Sequence, residues 1–436
     1  MRRRVISVLL ILALVLTMLP CTEMVANAQT DISMGEYDEM VSTYSIDESI
    51  LGYSEYVAQF PKNYPETTIR VDTNDVVRYE EADKKAEINT YADYEGMQGN
   101  SIYTSEDSLV EFDITVEEEG FYNLSVVYFP IEGKNSDIER SIFVDGVLPY
   151  DEMATIKFPR IWKFDAESKQ DENTGALTYI WEKDNQGNDI RPSMLEAPEW
   201  ITSYVYDSNG YLTSPLSVYL TEGEHTISFL ALREPMLIHE LVFENAKKTL
   251  SYDEVKKAQD AEGVKATSEQ YICIEGENPL KTSSQMLYPI QDQSSPAVTP
   301  ASSKELLNNI IGGNSWQGVG QWIEWEFDVK EDGYYNITLY DSQNFVKGIY
   351  VSRRISIDGV VPFEEMEAYG FHYKQKWRED TLSDKDGNPY SFYLTKGTHT
   401  IRMEVVLGDF ANIISEVQDC ILLLNDIYRD VSRLPA

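Results

Sequence analysis

Apolar and polar residues alternate with a period of two along much of the chain. The segment WIEWEFDV at residues 322–329 places Trp325 and Val329 on one face, and RRISIDGV at residues 353–360 alternates until it reaches an Asp-Gly pair. Alternation of this kind is typical of a strand with one buried face, and Asp-Gly indicates a hairpin turn. A helical pattern occurs mainly at residues 251–267. The pattern therefore predicts short antiparallel strands packed as a β-sandwich.

The alternating pattern occurs twice. Residues 108–153 align with residues 321–366 without a gap, and the two copies share the similar stretches IFVDGVLPYDEM and ISIDGVVPFEEM. A second block follows, in which residues 215–227 align with residues 389–401. A repeat of this length indicates a duplicated domain rather than a solenoid unit. We therefore predict an all-β protein of two tandem antiparallel β-sandwich domains joined by a short helical linker.

The domain boundaries follow from these patterns over the 436 residues. We predict a signal peptide, a mobile lead-in, a first sandwich with an insertion, a helical linker and a second sandwich. In chain order these are residues 1–28, 29–59, 60–246 with the insertion at 158–214, 247–268 and 269–436. The insertion carries three tryptophans, which either line a separate groove or pack the insertion on the sandwich. We favour packing.

The first residues have the pattern of an export signal. Three arginines precede an apolar run at residues 5–19, and Ala-Asn-Ala ends at Ala28. This order predicts a signal peptide that is cut after Ala28, and hence an exported mature chain that does not insert in a membrane. A membrane anchor is the alternative, but the run is short and ends in small residues. Pro20 before Cys21 argues against a lipoprotein signal.

The formal net charge of −38 limits the partners. Phosphate groups would be repelled, which argues against nucleic acid and anionic lipid surfaces. A neutral ligand, divalent cations or both fit this charge, although solubility alone explains most of it. Cys273 and Cys420 remain after cleavage. They are either paired, as thiols of exported proteins often are, or buried as free thiols.

The second half resembles the carbohydrate-binding modules of the galactose-binding-like jelly-roll group, especially families six and thirty-five. Five motifs carry the resemblance: Glu-Gly-Glu at 275–277, Gly-Gln-Trp-Ile at 320–323, Gly-Tyr-Tyr at 333–335, Ile-Asp-Gly at 357–359 and Leu-Thr-Lys-Gly-Thr-His-Thr-Ile at 394–401. The first half matches in its core strands only. The two-module arrangement also resembles the N-terminal part of large solute-binding proteins of polysaccharide importers in Gram-positive bacteria.

The resemblance implies a jelly-roll fold, binding of an oligo- or polysaccharide and no catalysis. It also implies a secreted protein at the Gram-positive cell surface that captures glycans for a sugar ABC importer. A structural or adhesion protein, with its modules as spacers or protein docks, is the alternative. Adjacent acidic pairs such as Glu364 and Glu365 do not predict a glycosidase, because catalytic carboxylates face each other across the bond.

Sugars bind through aromatic faces and hydrogen-bonding amides or carboxylates. Trp316, in the glycine-rich loop GGNSWQG, is the first candidate for a stacking platform, and capping of the core edge is its alternative role. Trp377 and Asn412 match positions at which the family supplies an aromatic ring and an amide, with core packing and a turn as alternatives. Tyr373 and Arg378 are weaker candidates.

Two further sites concern the sheet face and a metal ion. Trp322 shares a strand face with two glutamates and is a candidate for binding on that face. The family often holds a structural calcium between its first and last strands, and Glu275, Glu277 and Asp419 match those positions. Carboxylate oxygens suit calcium, and solvated acids at a strand edge are the alternative. His225 and His399 repeat after a glycine turn, which predicts a role in the turn.

Overall fold

The computed structural model describes residues 50–82, 84–268 and 270–432. These residues belong to one compact unit. The predicted signal peptide and most of the predicted lead-in therefore lie outside them. Within the described ranges, no helix has both the length and the apolar character needed to cross a membrane.

The first half of the described chain consists almost entirely of strands. They are β1 Ile69–Val71, β2 Val76–Glu81, β3 Lys84–Lys85, β4 Thr90–Ala92, β5 Asn100–Thr104, β6 Ser108–Val116, β7 Gly120–Pro130, β8 Ile138–Val144, β9 Ile156–Phe158, β10 Trp162–Asp165, β11 Glu167–Gln170, β12 Leu177–Ile180, β13 Ser193–Glu196, β14 Ile201–Tyr204, β15 Ser217–Leu220, β16 Gly223–Arg233 and β17 Met236–Glu244. One sheet has the order β3-β2-β6-β16-β8-β9. The other has the order β14-β7-β17-β5-β4, with β1 on β17 and β15 on β7.

The second half repeats part of this plan. Its strands are β18 Lys281–Thr282, β19 Pro289–Ile290, β20 Ile310–Ile311, β21 Trp322–Val329, β22 Gly333–Tyr335, β23 Thr338–Gln343, β24 Tyr350–Ile357, β25 Tyr369–His372, β26 Lys374–Thr381, β27 Phe392–Leu394 and β28 Gly397–Val406. The main sheet has the order β13-β10-β18-β21-β28-β24-β25. Three separate pairs, β19-β20, β22-β27 and β23-β26, accompany it. The core of this half includes Trp325, Phe327, Ile355 and Phe363, all at least 90% buried.

The insertion of the first half packs on the second half. Trp162 on β10 pairs with Thr282 on β18, so insertion strands extend the main sheet of the second half. Beyond that strand, the Tyr179 hydroxyl donates to the Pro279 carbonyl at 3.0 Å. The three insertion tryptophans are engaged in packing: Trp162 is 5% exposed, Trp181 stacks on Tyr179, and Trp200 contacts Phe129. The favoured prediction of packing is confirmed.

The predicted lead-in is not mobile at its end. A short helix, α1 Tyr53–Val57, packs on the first sandwich. The Tyr53 hydroxyl lies 2.7 Å from the Ser217 hydroxyl, and the ring of Phe60 stacks on Tyr219 with centroids 4.4 Å apart. These aromatic contacts cover the outer face of a sheet. The alternating pattern does not reveal them, because the lead-in has no strand or helix period.

A ten-residue helix, α2 Tyr252–Ala261, lies within the segment predicted as a linker. The Tyr252 ring contacts the rings of Phe363 and Tyr390 at centroid distances of 4.9 and 4.8 Å. The Lys256 ammonium lies 4.0 Å from the centre of the Tyr334 ring. The segment is therefore part of the packed second half rather than a linker, and that prediction is corrected.

A helix also ends the described chain. Helix α3, Ala411–Ser432, contains Asp419, which the resemblance assigned to the last strand, together with the apolar run 421–424 that follows it. The prediction is wrong because a short apolar run fits both a buried strand and a helix. Apolar or cysteine residues at 413, 417, 420, 424 and 427 have the helical spacing. The second half is therefore not all-β to its end.

The repeated Asp-Gly pair forms the same tight turn in both halves. Asp358 and Gly359 have φ values of 52° and 77°, which a side chain tolerates poorly and glycine tolerates well. The Asp358 carboxylate accepts a hydrogen bond from the Thr400 backbone N–H at 2.8 Å and lies 2.6 Å from His399 Nδ1. The first copy repeats the arrangement with Asp145, Gly146, His225 and Thr226. The predicted turn role of the histidines is confirmed.

Candidate functional site

An aromatic pair lies on one face of the sheet formed by β23 and β26. Tyr340 on β23 pairs with Glu379 on β26, so Tyr340 shares a face with Trp377, two residues from Glu379. The rings of Tyr340 and Trp377 are nearly parallel, with an interplanar angle of 20° and centroids 5.7 Å apart. Tyr340 is 42% exposed. The sheet therefore presents an aromatic surface that a ligand can reach.

A neighbouring loop fixes the indole of this pair. Trp377 Nε1 donates to the Asp292 carboxylate at 2.8 Å and approaches the Ser294 hydroxyl at 3.2 Å. The Asn309 side chain accepts from the Asp292 backbone N–H at 2.8 Å and so anchors the loop. Burial acts to raise the pKa of Asp292, but hydrogen bonds from Ser294 and Trp377 outweigh it and lower the pKa. The site thus holds an ionised carboxylate beside the indole.

Charged groups on the same two strands stabilise this small sheet. The Arg378 guanidinium contacts Asp380 at 2.5 Å and Asp341 at 3.4 Å. Burial raises the pKa of Asp341 to about 6, against the opposing effect of Arg378. Tyr373, just before β26, donates its backbone N–H to the Ile349 carbonyl at 3.3 Å. Three predicted site residues, Trp377, Arg378 and Tyr373, therefore lie together on or beside β26.

The other predicted ligand residues lie elsewhere. Trp316 is half-buried, donates from Nε1 to the Gln321 carbonyl at 3.2 Å, and has the Arg353 guanidinium 4.4 Å above its ring. These contacts match the alternative role of capping the core edge. Trp322 is 5% exposed under Arg402. This burial removes Trp322 from any open sheet face.

Asn412 is exposed on the first turn of α3. The resemblance matched it to a position at which the family supplies an amide to a sugar, with a turn as the alternative role. The structure puts it on a helix instead.

The structure describes the side chains of two of the three predicted calcium ligands, Glu275 and Glu277. Glu275 is exposed and accepts hydrogen bonds from the Thr299 hydroxyl at 3.2 Å. Glu277 is 3% exposed, and burial, with a smaller contribution from Glu275, raises its pKa to about 8. Asp419 lies on α3 rather than on a last strand, and its side chain is not among those described. Among the described side chains, no three His, Cys, Asp or Glu residues are grouped to hold a metal ion.

A buried carboxyl such as Glu277 needs a proton or a cation to be neutral. The burial of Glu277 is therefore compatible with a proton or a cation, and the described side chains do not complete a set of ligands. Calcium remains a prediction. Cys273 and Cys420 are both exposed free thiols, so neither of the two alternatives for them, pairing or burial, is observed.

Sequence reasoning missed Tyr340 and Asp292. Neither belongs to a motif, and Asp292 lies 85 residues from the Trp377 that it contacts. One weak signal was present. Polar-facing and core-facing positions alternate at the start of β23, where Thr338 and Tyr340 are exposed and Leu339 is half-buried. An exposed aromatic ring on an alternating strand is a candidate for binding.

No family model and no curated protein matches this sequence. A family 35 carbohydrate-binding module from Clostridium thermocellum is 13% identical over 41% of this chain and 99% of its own, with a TM-score of 0.24. A carbohydrate-binding module of Cellvibrio mixtus lichenase 5A, in complex with cellotriose, is 10% identical over 41% of this chain and 97% of its own, with a TM-score of 0.20. A GH26-CBM35 β-(1,4)-mannanase from Podospora anserina is 10% identical over 42% of this chain, with a TM-score of 0.22, and the match spans only 29% of that chain. Part of this chain is thus similar in structure to carbohydrate-binding modules.

Proposed function

We propose that the protein binds a neutral oligo- or polysaccharide, without catalysis, on the aromatic surface formed by Tyr340 and Trp377. The main support is that the two nearly parallel rings of Tyr340 and Trp377, with Tyr340 42% exposed, lie beside the Asp292 carboxylate. The apolar C–H face of a pyranose packs on such rings, and its hydroxyls donate to a carboxylate. Glu379, exposed on the same strand face, offers a second acceptor.

The charge of the chain favours a neutral sugar over an acidic one. The formal net charge is −38, and a polyanionic glycan would be repelled at low ionic strength. A single aromatic surface open to solvent supports weak binding, with a dissociation constant on the order of 0.1–1 mM. Any one of the sugar units along a glycan chain would be able to bind to this small surface.

The proposal extends to location and partner. We place the protein outside the cell, at the Gram-positive surface, where it captures glycan for a sugar ABC importer. The signal-peptide pattern and the resemblance of the two-module arrangement support this. Expression in a Gram-positive host, followed by N-terminal sequencing of the exported protein, tests the first step. We expect the mature chain to begin at Gln29, and retention in the cytoplasm would contradict export.

A glycan array with the mature chain tests the binding itself. Tyr340→Ala removes the exposed ring of the pair, and we expect about a tenfold loss of affinity or more for the preferred glycan. Tyr393→Ala is the matched control, because Tyr393 is a comparably exposed tyrosine, at 38%, on strand β27. Circular dichroism checks that both variants fold. Equal binding by Tyr340→Ala and the unaltered chain would contradict the site, and an array without any bound glycan would favour the structural or adhesion alternative.

A further inference from the structure

The insertion of the first half contacts a long loop of the second half. This loop, residues 291–309, joins the paired strands β19 and β20, whereas the paired strands β4 and β5 of the first half are joined by the shorter stretch 93–99. The insertion also exceeds its counterpart, because the two repeat blocks lie much closer together in the second half. Two elements that the repeat does not explain are therefore in contact with each other. A long loop of this kind usually has a function.

A tight hairpin of the insertion, residues 182–190, forms one side of this contact. Lys183 and Asp189 form an antiparallel bridge between its two arms. The Asp184 carboxylate accepts a hydrogen bond from the Asn188 backbone N–H at 2.9 Å and so closes the turn between them. The hairpin is therefore ordered by its own hydrogen bonds, and Asp189 has a defined position at the end of its second arm.

Asp189 bonds to the loop with its backbone and with its side chain. Its N–H donates to the Leu306 carbonyl at 2.8 Å, and its carbonyl accepts from the Gln291 side-chain amide at 2.9 Å. Its carboxylate, 5% exposed, accepts from the buried Asn308 backbone N–H at 2.9 Å. The second carboxylate oxygen lies 2.9 Å from the Lys183 ammonium. A buried N–H without an acceptor is costly, so this carboxylate decides where the loop lies at Asn308.

The residue after Asn308 connects this contact to the candidate site. The Asn309 side chain accepts from the Asp292 backbone N–H and donates to the Asp292 carbonyl, both at 2.8 Å. The Asn309 N–H donates to the Ile290 carbonyl at 3.1 Å. The Asp292 carboxylate in turn accepts from Trp377 Nε1 at 2.8 Å. A continuous series of hydrogen bonds and one peptide link therefore joins the insertion to the indole of the aromatic pair.

The buried part of the loop is mainly polar. Asn308 and Asn309 are 2% and 7% exposed, and Val298 is 3% exposed. By contrast, Leu306 is 41% exposed, and residues 296, 297, 299 and 300 are exposed. Buried amide side chains need hydrogen-bond partners. The position of the loop therefore depends on these polar contacts more than on apolar packing, and Asp189 supplies several of them.

We propose that Asp189 is a positioning residue for the sugar site of the second half. Through Asn308 and Asn309 it holds the Asp292 carboxylate where that group bonds the indole and accepts from a sugar hydroxyl. Asp189 acts without contacting the sugar. The inference rests on the proposed function and extends it, because it makes the insertion of the first half a determinant of binding by the second.

Asp189→Ala in the full mature chain tests the proposal, because it removes the acceptor of the Asn308 N–H. We expect about a fivefold or greater loss of affinity for the preferred glycan. Hydrogen exchange at the Trp377 indole N–H, followed by NMR, should become at least about tenfold faster. Asp189→Asn keeps an oxygen that can accept from Asn308 and should restore both values to within about twofold. Asp207→Ala is the matched control and should change neither, because Asp207 is 5% exposed and accepts within its own loop from the Tyr211 N–H at 2.7 Å.

A double-mutant cycle separates positioning from a general loss of stability. In a chain that carries Asp292→Ala the positioned carboxylate is absent, so Asp189→Ala should then weaken binding by less than about twofold more. Fully additive losses would overturn the proposal. So would unchanged affinity and indole exchange in Asp189→Ala, or equal effects of Asp189→Ala and Asp207→Ala. Absence of glycan binding by every chain would refute the proposed function alone, and indole exchange would then still decide whether Asp189 positions Asp292 and Trp377.

Discussion

Replacement of Glu277 by glutamine is expected to remove a large pH-dependent contribution to stability. Burial raises the pKa of this carboxyl from the ordinary 4.5 to about 8. Between these values the folded protein keeps a proton that the unfolded chain has released, so the free energy of unfolding decreases as the pH rises. At about 1.4 kcal/mol for each unit of pKa difference, the full loss is about 5 kcal/mol. The contribution of Glu277 to the free energy of unfolding is therefore greatest below about pH 4.5 and is lost as the pH rises to about 8.

Urea unfolding between about pH 5 and pH 8, followed by tryptophan fluorescence, measures this effect. Glu277→Gln is expected to show a much flatter pH dependence than the unaltered chain. Glu275→Gln is the matched control, because Glu275 is exposed and its contribution to the raised pKa of Glu277 is smaller than that of burial, so most of the slope should remain. The comparison between variants matters, since burial also raises the pKa of Asp341 and adds a smaller slope of the same sign in every variant.

Calcium provides an independent arm of this experiment. A cation bound at Glu277 would stabilise its carboxylate and lower its pKa. Addition of about 1 mM Ca²⁺, within the range of extracellular calcium sites, should then flatten the pH dependence of the unaltered chain and leave Glu277→Gln unaffected. An unchanged slope in Glu277→Gln would refute the assignment of the raised pKa, and an unchanged slope with Ca²⁺ would remove the predicted calcium site.

Three further outcomes follow from single contacts. Gly359→Ala is expected to lower the free energy of unfolding by about 1 kcal/mol, because φ is 77° in this turn; thermal unfolding measures it, and an unchanged midpoint would contradict the turn assignment. Trp316→Ala should lower the free energy of unfolding, measured with urea, by about 2 kcal/mol. Glycan binding should not change, since Arg353 already covers the indole. Loss of binding without loss of stability would move the site to this loop. Cys273 and Cys420 should both react with a thiol reagent in the folded mature chain, and unreactive thiols would contradict their exposure.

Local patterns in the sequence account for the strands and turns that were predicted correctly. The alternation in WIEWEFDV yields β21, and the Asp-Gly pair yields the turn after β24, because both depend on neighbouring residues only. The final strand was predicted wrongly, because an apolar run of four residues has no period that separates strand from helix. The sequence predicted a mobile lead-in because that segment has no strand or helix period. Its aromatic residues are ordered by contacts with distant strands, as Phe60 is by Tyr219.

The candidate site was predictable only in part, for the same physical reason. Trp377, Arg378 and Tyr373 lie close in sequence, so one segment identified all three. Tyr340 and Asp292 join them through strand pairing and a loop contact. Strand register depends on which faces the rest of the fold buries. A pattern along one segment does not contain that information.

The packing of the two halves decides which face of the second half can bind a ligand. Arg354 on β24 donates to the Thr213 carbonyl of the first half at 2.7 Å, and Lys281 pairs with Glu199 at 2.6 Å. These contacts cover the face of the main sheet that carries Trp322, which is 5% exposed. A ligand is therefore excluded from the main sheet by the first half itself. The surface of β23 and β26, with Tyr340 exposed, stays free, so duplication has assigned one sheet to the contact between halves and left the other for recognition.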